Sequence, residues 1–177
     1  MEEVIDIVDE NNQPTGEGRP RSVVHADGLW HRTVHIYLFR KQGTEIEFLT
    51  HLRSAKKDLH PNAWDTRFGG HIKSGSDIQQ TTINELKDEL GLDLDFNALI
   101  EGNWRKCDHY PNREFAQVFY LEFNGDINDL RFQDDEVQEA RWMTTKDIEK
   151  SMADNPEQWS GGIDGFREVM STLTEKL

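Results

Sequence analysis

Apolar and polar residues alternate with a period of two in several short segments of this chain, which is the pattern of half-buried β-strands. The pattern predicts strands over residues 3–9, 31–41, 44–54, 66–72, 96–110, 113–125 and 136–144. Residues 10–18, with the sequence ENNQPTGEG, lack this alternation and predict a polar turn. Residues 55–65 contain Pro61 and predict a loop.

A helical period marks the remaining segments. Residues 76–91 carry the clearest helical pattern, and further helices are predicted over residues 19–26, 144–154 and 156–177. Strands surround the central helix and helices follow them, which predicts an α/β fold with a mixed sheet between helices. The chain has 177 residues and no repeat or linker, so we expect one domain, residues 1–177, with a C-terminal helical segment from about residue 144.

Three carboxylates lie close together near the end of the central helix. At about 100° per residue, Glu85, Asp88 and Glu89 share a face that is roughly 100° wide. This face borders the predicted core stripe of the helix, which consists of Ile83, Leu86 and Leu90. The carboxylates are therefore expected at the edge of the sheet, partly sheltered from solvent.

The ends of this helix also carry recognisable signals. Ser76 and Gln79 fit a capping box at its start, and Gly91 fits the left-handed residue after its end. Asp88 and Glu89 then lie in the last turn, where the helix dipole disfavours each anion by about 0.3–1 kcal/mol. A hard divalent cation would balance these charges, since such ions prefer carboxylate oxygen. The alternative is a solvated acidic face.

The composition limits the classes of partner. Lys and Arg number 20 against 34 Asp and Glu, for a formal net charge of −14, which argues against a nucleic acid polymer. A small phosphorylated ligand remains compatible, because a bound cation inverts the local field. The single cysteine, Cys107, excludes a disulfide within the chain and indicates a reducing compartment. Without a basic leader or an apolar run of about 18 residues, the sequence predicts a cytoplasmic protein with no membrane partner.

Residues 69–92 resemble the Nudix box, whose pattern is Gly, five residues, Glu, seven residues, then Arg-Glu-hydrophobe-x-Glu-Glu-x-Gly-hydrophobe. The spacing is kept from Gly70 onward. Ser76 stands at the first Glu of the pattern, Asn84 at its Arg, and Asp88 at one Glu of the pair. In the family, the residues at the first two positions orient the metal-binding carboxylates. The paired change therefore affects the support of the site and leaves the carboxylates in place.

The similarity extends over roughly residues 4 to 150. Residues 25–39, 49–72 and 112–123 resemble the Nudix branch related to isopentenyl-diphosphate isomerase. This resemblance implies a Nudix-type α/β/α sandwich with a mixed β-sheet. It also implies Mg²⁺ or Mn²⁺ as the cofactor, held by Glu85, Asp88, Glu89 and the carbonyl of Gly69.

The resemblance further implies catalytic and substrate-binding residues. The general base of this superfamily varies in location, so Glu89 and Glu114 are both candidates. Arg53 matches a position that contacts substrate phosphate, Trp64 could stack on a ring, and His71 is expected in the same pocket. A surface ion pair for Arg53 and core packing for Trp64 are the alternatives.

The isomerases of this branch need a cysteine in the strand before the box, and Gly69 stands at that position here. Their histidine and glutamate metal ligands have partial counterparts in His25, His31, His71 and Glu114. These side chains could form a site suited to Zn²⁺ or Mn²⁺, or they could be ordinary residues near the pocket.

The resemblance and the retained carboxylates together predict a divalent-metal-dependent hydrolase of a small nucleoside-diphosphate-linked or other organic diphosphate compound. A catalytically weak or inactive Nudix-fold module that binds nucleotide is the alternative from a different class, motivated by Ser76 and Asn84. An isomerase is the third hypothesis, and Gly69 argues against it. The expected partner is a small-molecule diphosphate substrate, and the sequence leaves a homodimer open.

Overall fold

A computed structural model describes residues 2–57, 59–132 and 135–177 of the chain. Within these residues, eight strands form one mixed sheet that lies between helices. The elements, in chain order, are β1 (Val4–Val8), β2 (Pro14–Pro20), α1 (Arg21–Asp27), β3 (His31–Gln42), β4 (Glu45–Arg53), β5 (Trp64–Asp65), α2 (Ile78–Leu90), β6 (Ile100–His109), β7 (Asn112–Glu122), β8 (Val137–Thr144), α3 (Thr145–Asp154) and α4 (Ile163–Lys176). Short 3₁₀ turns cover Phe96–Ala98, Ile127–Asp129 and Pro156–Gln158.

Strand β3 is the centre of the sheet. It pairs in parallel with β7 from His31 opposite Glu114 to Phe39 opposite Glu122. It also forms an antiparallel hairpin with β4, which in turn pairs with β5 and β8. Because the pairing with β7 is parallel and that with β4 is antiparallel, the predicted mixed sheet of an α/β fold is confirmed.

Alternate residues of β3 face two separate hydrophobic cores. Val34, Ile36 and Leu38 pack with the buried side of α2. Tyr37 and Phe39 pack with α3 and α4 on the opposite face. This two-sided burial produces the sandwich of helices around the sheet, and it holds α2 against the edge where β3 begins.

Helix α2 follows its predicted range closely but differs in detail. Leu86 and Leu90 are fully buried, as the core stripe predicts, whereas Ile83 is only partly buried. Thr82 completes the buried face, and its hydroxyl donates to the carbonyl of Ile78 at 2.7 Å. Short hydroxyl-bearing residues fit here because they bond back to the helix itself.

The predicted capping box at Ser76 is wrong. The N-cap is Asp77, whose Oδ1 accepts a hydrogen bond from the backbone N–H of Gln80 at 2.7 Å. A carboxylate at the cap also interacts favourably with the helix dipole. At the other end, Gly91 adopts the predicted left-handed conformation, with a φ of 69°.

Two segments differ from their predicted conformations. Residues 14–20 form the edge strand β2, because backbone pairing with β1 holds an otherwise exposed strand. Residues 10–18 were predicted as a polar turn and residues 19–26 as a helix, which instead begins at Arg21. Residues 66–72, predicted as a short strand that runs into a glycine-rich turn, form isolated bridges between Phe68 and Ile36 and between His71 and Thr33. The cause is Gly69, whose φ of 131° interrupts the strand conformation. No helix in the described residues is long and apolar enough to span a bilayer.

Candidate active site and imidazole cluster

Two carboxylates of α2 lie against the turn formed by Gly69 and Gly70. The backbone N–H of Gly69 donates to Oε2 of Glu89 at 2.9 Å. A Cβ on Gly70 would lie 2.6 Å from Oε1 of Glu85, so the absence of a side chain allows this carboxylate to approach the backbone. The glycine pair and the helix spacing together bring both carboxylates to one place.

The electrostatic environment of these carboxylates favours a bound cation. Burial is the main cause that raises the pKa of Glu89 to about 8; Glu85 adds to it, and the Gly69 N–H opposes it. Burial also raises the pKa of Glu85, with Lys73 opposing the shift. Asp88, which directly precedes Glu89 in the helix, is exposed. Oxygen ligands whose negative charge is poorly compensated suit a hard divalent ion, which would replace the lost hydration.

Lysines from outside the helix partly balance this acidic face. Lys73 lies in the turn before α2, and Lys57 lies in the loop after β4. Each lowers the pKa of a neighbouring carboxylate, Lys73 that of Glu85 and Lys57 that of Glu89. Helical spacing alone could not reveal either electrostatic effect, because both lysines come from other segments of the chain.

The backbone at Gly69 has no room for a side chain. Its φ of 131° is a conformation that side-chain-bearing residues rarely adopt. An added Cβ would lie 2.0 Å from the carbonyl oxygen of Val34. A cysteine thiol at this position, which the isomerase chemistry requires, is therefore incompatible with the observed backbone.

Three histidines from different segments form a second group of ligands, the imidazole cluster of His25, His31 and His71. One nitrogen of each lies within 4.8 Å of those of the other two. Nε2 of His25 lies 3.1 Å from Nε2 of His71. Nδ1 of His31 donates to the carbonyl of Leu29 at 2.9 Å, and its Nε2 is buried without a hydrogen-bond partner.

The imidazole cluster fits a transition-metal ion. Burial and the neighbouring imidazoles lower the pKa of His25 to about 4. Burial also lowers the pKa of His31, so both rings are neutral near pH 7 and present lone pairs. Zn²⁺ binds imidazole nitrogen at about 2.0–2.1 Å, so a modest contraction of the cluster would bring all three nitrogens to one ion. The unpartnered Nε2 of His31 is the observation that favours such an ion.

Glu114 lies beside the imidazole cluster. It pairs with His31 in the parallel register, and its Oε1 lies 3.1 Å from Nε2 of His35. Although burial is the largest influence and favours the neutral acid, His35 and Arg67 together lower the pKa of Glu114 to about 2. Cys107, the single cysteine, lies opposite Glu114 on β6, where burial raises the pKa of its thiol.

The predicted substrate contacts Arg53 and Trp64 both have protein partners. Arg53 donates to the carbonyls of Leu59 and His60, and its Nη1 lies 3.7 Å from Oδ2 of Asp65. The guanidinium of Arg141 lies 4.1 Å from the ring centroid of Trp64. His71, the third predicted contact, lies in the imidazole cluster.

Sequence reasoning missed two residues that the structure brings to this region. Oε2 of Glu3 lies 3.5 Å from Nδ1 of His71. Arg67 contacts the buried carboxylate of Asp65 through its Nε at 3.0 Å and its Nη2 at 3.2 Å. Asp65 and Arg67 are two residues apart in an extended segment, so the sequence could have indicated this charge pair. Glu3 is 68 positions from His71, and no local pattern indicates their contact.

Comparison with known proteins agrees with this geometry. The NUDIX domain family model matches residues 29–160. An uncharacterised Nudix hydrolase of Clostridium acetobutylicum is 34% identical over 140 residues, which cover 77% of this chain and 67% of that protein. An isopentenyl-diphosphate Delta-isomerase of Photobacterium profundum is 27% identical over an alignment of 193 positions, which covers 100% of this chain and 97% of that protein.

A solved structure shares the fold over nearly the whole chain. The DR0079 protein from Deinococcus radiodurans superposes with a TM-score of 0.77 at 22% identity, over 93% of this chain and 98% of that chain. The match of the family model to residues 29–160 and the 34% identity to a Nudix hydrolase confirm the resemblance inferred from the sequence. This chain belongs to the Nudix hydrolase family.

Proposed function

We propose that this protein hydrolyses a small organic diphosphate, such as a nucleoside-diphosphate-linked compound, in a reaction that depends on Mg²⁺ or Mn²⁺. The observation that carries the proposal is the pair Glu85 and Glu89, held together against the Gly69–Gly70 turn. These residues would hold the ion, with Asp88 and the carbonyl of Gly69 beside them. When bound, the ion shields phosphate charge and lowers the pKa of a bound water.

Glu89 is the better supported general base. In the metal-free protein, burial is the main cause that raises its pKa to about 8, so this carboxylate has a high affinity for a proton, and a bound cation would favour its ionised form near neutral pH. Glu114 has a pKa lowered to about 2 and is paired with His35, so it holds a proton weakly. In the proposed step, water attacks phosphorus, its proton passes to Glu89, and the bond from phosphorus to the bridging oxygen breaks.

The Gly69–Gly70 turn that holds the carboxylates also favours hydrolysis over isomerisation. The Gly69 N–H fixes one oxygen of Glu89, which orients the carboxylate without a second side chain. Glycine at position 69 leaves no thiol for carbon acid–base chemistry, which disfavours isomerisation. The isomerase relative is named for a diphosphate, and this supports a diphosphate as the substrate class.

Arg53, His71 and Trp64 are the proposed substrate contacts. Arg53 holds the loop at residues 59–60 by hydrogen bonds. Its guanidinium would place positive charge near a substrate phosphate. Trp64 is partly buried and would offer ring surface to a base or sugar.

A substrate panel tests this proposal. Nucleoside diphosphates, nucleoside-diphosphate sugars and simple organic diphosphates would be incubated with increasing Mg²⁺ or Mn²⁺, and phosphate products measured. We expect metal-dependent turnover of at least one compound, and a fall of about 10²–10⁴-fold in kcat for Glu89→Gln. Glu175→Gln, which removes an exposed carboxylate from α4, is the matched control. Turnover that is equal with and without metal, or an unchanged Glu89→Gln variant, would contradict the proposal.

A binding module without turnover is the second candidate. It is favoured by Asn84, which stands at the arginine position of the Nudix box. Its Oδ1 accepts a hydrogen bond from Nε2 of Gln80 at 2.8 Å, on the exposed side of α2. Ser76 lies in the turn before the helix, where its N–H donates to the carbonyl of Lys73. Calorimetry separates the two functions, because tight nucleotide binding without metal and without product favours the binding module.

A further inference from the structure

His71 lies between two polar groups that different parts of the chain supply. Its Nε2 faces the imidazole cluster, 3.1 Å from Nε2 of His25. Its Nδ1 faces the carboxylate of Glu3, with 3.5 Å between Nδ1 and Oε2. The two side chains are mostly buried, with relative side-chain exposures of 18% for His71 and 23% for Glu3.

His31 shows what a ligand of this cluster requires. A neutral imidazole carries a proton on one nitrogen and a lone pair on the other. Nδ1 of His31 faces the carbonyl of Leu29, which can only accept, so Nδ1 carries the proton and Nε2 is left as the lone pair. That Nε2 is buried, has no hydrogen-bond partner and lies in the cluster with His25 and His71.

His71 needs the same arrangement to present Nε2 to a shared ion. Its Nδ1 must then carry the proton, and a buried N–H needs an acceptor. Glu3 supplies a carboxylate at that nitrogen, in the place that the backbone carbonyl of Leu29 takes for His31.

The start of the chain is held in place by backbone hydrogen bonds. The carbonyl of Glu3 accepts from the N–H of Arg21, and the carbonyl of Val4 accepts from the N–H of Ser74, both at 2.9 Å. Ile5 forms a bridge with Lys73, two residues beyond His71. The backbone of Glu3 is therefore held near His71 by pairing between the start of β1 and the segment that follows His71.

We propose that Glu3 is the positioning residue that fixes the tautomer of His71 as a ligand in the imidazole cluster, where the resemblance to the isomerase branch implies a transition-metal ion such as Zn²⁺. The 3.5 Å separation is long for a hydrogen bond, and we expect it to shorten on ion binding, because contacts at functional sites are often longer in the unloaded protein. This inference goes beyond the proposed hydrolysis, because it concerns the imidazole cluster and does not depend on turnover at the carboxylates.

Metal titration of the full chain is the first test. Zn²⁺ affinity by calorimetry, and the visible absorption of tetrahedral Co²⁺, would be compared for the parent, Glu3→Ala and Glu3→Gln. We expect a loss of about 10–100-fold in affinity for Glu3→Ala, which removes the acceptor, and a smaller loss for Glu3→Gln, whose amide oxygen can still accept. Glu10→Gln removes an exposed carboxylate between β1 and β2 and is expected to bind like the parent.

The tautomer of His71 is the second test, and a merely structural role of Glu3 would not change it. Nitrogen-15 NMR of the metal-free protein is expected to show Nδ1–H on His71 in the parent and a shift toward Nε2–H in Glu3→Ala. Circular dichroism establishes that the variants are folded. Parent-like affinity and an unchanged tautomer in Glu3→Ala would overturn the proposal, as would a Co²⁺ spectrum that survives His31→Ala or is absent from the parent.

Discussion

Oε2 of Glu89 lies 2.9 Å from the backbone nitrogen of Gly69, and this hydrogen bond joins the last turn of α2 to the segment that precedes it. The same glycine prevents a side chain at that point, because a Cβ would contact the carbonyl of Val34. One residue therefore both anchors the proposed base and excludes the thiol on which the related isomerases depend.

The stabilising effect of Mg²⁺ should grow with pH. Mainly through burial, the pKa of Glu89 in the folded, metal-free protein is raised to about 8, while the unfolded chain loses this proton near a pKa of about 4.3. The folded state therefore binds more protons than the unfolded state between these values, and its stability falls as pH rises through this range. Mg²⁺ would compensate the negative charge of the ionised Glu89 carboxylate. Its effect on Tm is therefore expected to be larger at about pH 8 than at about pH 6.

Thermal unfolding with and without Mg²⁺ at these two pH values checks this expectation. Glu89→Gln carries no titrating group at this position, so its Mg²⁺ effect should be smaller and should depend less on pH than that of the parent, with Glu85 as the remaining titrating ligand. Glu175→Gln should behave like the parent. An equal Tm shift at both pH values in the parent would show that Glu89 is not the group that couples metal binding to protonation.

Gly69→Ala should destabilise the fold strongly. The new Cβ would lie 2.0 Å from backbone, which cannot move like a flexible side chain, and the φ of 131° is itself unfavourable for alanine. The conformational strain alone is about 1–3 kcal/mol, and the clash adds to it. Gly43→Ala is the control, because Gly43 also has a positive φ, 61°, but open space around the added carbon. Urea unfolding should show a distinctly larger loss at position 69; equal losses would refute the clash.

Gly70→Ala should weaken metal binding and leave the fold intact. The added carbon would lie 2.6 Å from Oε1 of Glu85, the end of a flexible side chain that can swing away. Displacing this carboxylate removes an oxygen from the proposed site, so a higher Mg²⁺ concentration should be needed for half-maximal activity. The free energy of unfolding should change little. Loss of stability comparable to that of Gly69→Ala, with unchanged Mg²⁺ dependence, would contradict this role for Glu85.

Asp65→Asn should strongly lower the free energy of unfolding, although Asp65 lies near surface loops. Asp65 is only 4% exposed and receives two hydrogen bonds from the guanidinium of Arg67. Burial is the largest influence on its pKa and would raise it, but the charge and hydrogen bonds of Arg67 outweigh burial and lower the pKa well below the ordinary value. Removing one partner of a buried ion pair costs about 3–5 kcal/mol.

The pH dependence supplies a second measurement for this variant. Because the folded pKa of Asp65 is depressed, its contribution is present above the unfolded pKa and is lost as pH falls below about 5. The stability difference between parent and Asp65→Asn should therefore shrink in acid. Asp135→Asn, which breaks the exposed contact with Lys56, is expected to change stability little at any pH. A constant difference across the pH range would contradict the assignment.

The sequence predicted most of the fold because its strongest patterns are local. Helix α2 follows from the spacing of Leu86 and Leu90 and from Gly91, and the long strands follow from alternation. Residues 14–20 were missed because they form an exposed edge strand whose pairing is made by the backbone alone. The cap was misplaced by one residue, since Ser76 and Asp77 are both good capping residues and only their backbone conformation decides between them.

Helical spacing predicted the candidate site where its residues share one element, and the family resemblance pointed to the imidazole cluster of His25, His31 and His71. Glu85, Asp88 and Glu89 follow from helical geometry and from the family pattern. The contact of Glu3 with His71 and the influence of Lys57 on Glu89 depend on chain segments that meet only in the folded state. The hydrogen bonds from Arg53 to residues 59–60 were equally hidden, because they depend on the path of a loop.

The parallel register of β3 and β7 has a consequence for the order of folding. His31 and Glu114 are neighbours across this pair, yet 83 positions separate them in the chain. Contacts of such separation form late, because the entropy of closing a long loop is lost before they are made. The β3–β4 hairpin and α2 can form earlier from local contacts, whereas the imidazole cluster's neighbour Glu114 arrives only when the second half of the chain has docked. A ribosome-bound fragment ending before β7 would therefore hold the carboxylates of α2 without the complete pocket beside them.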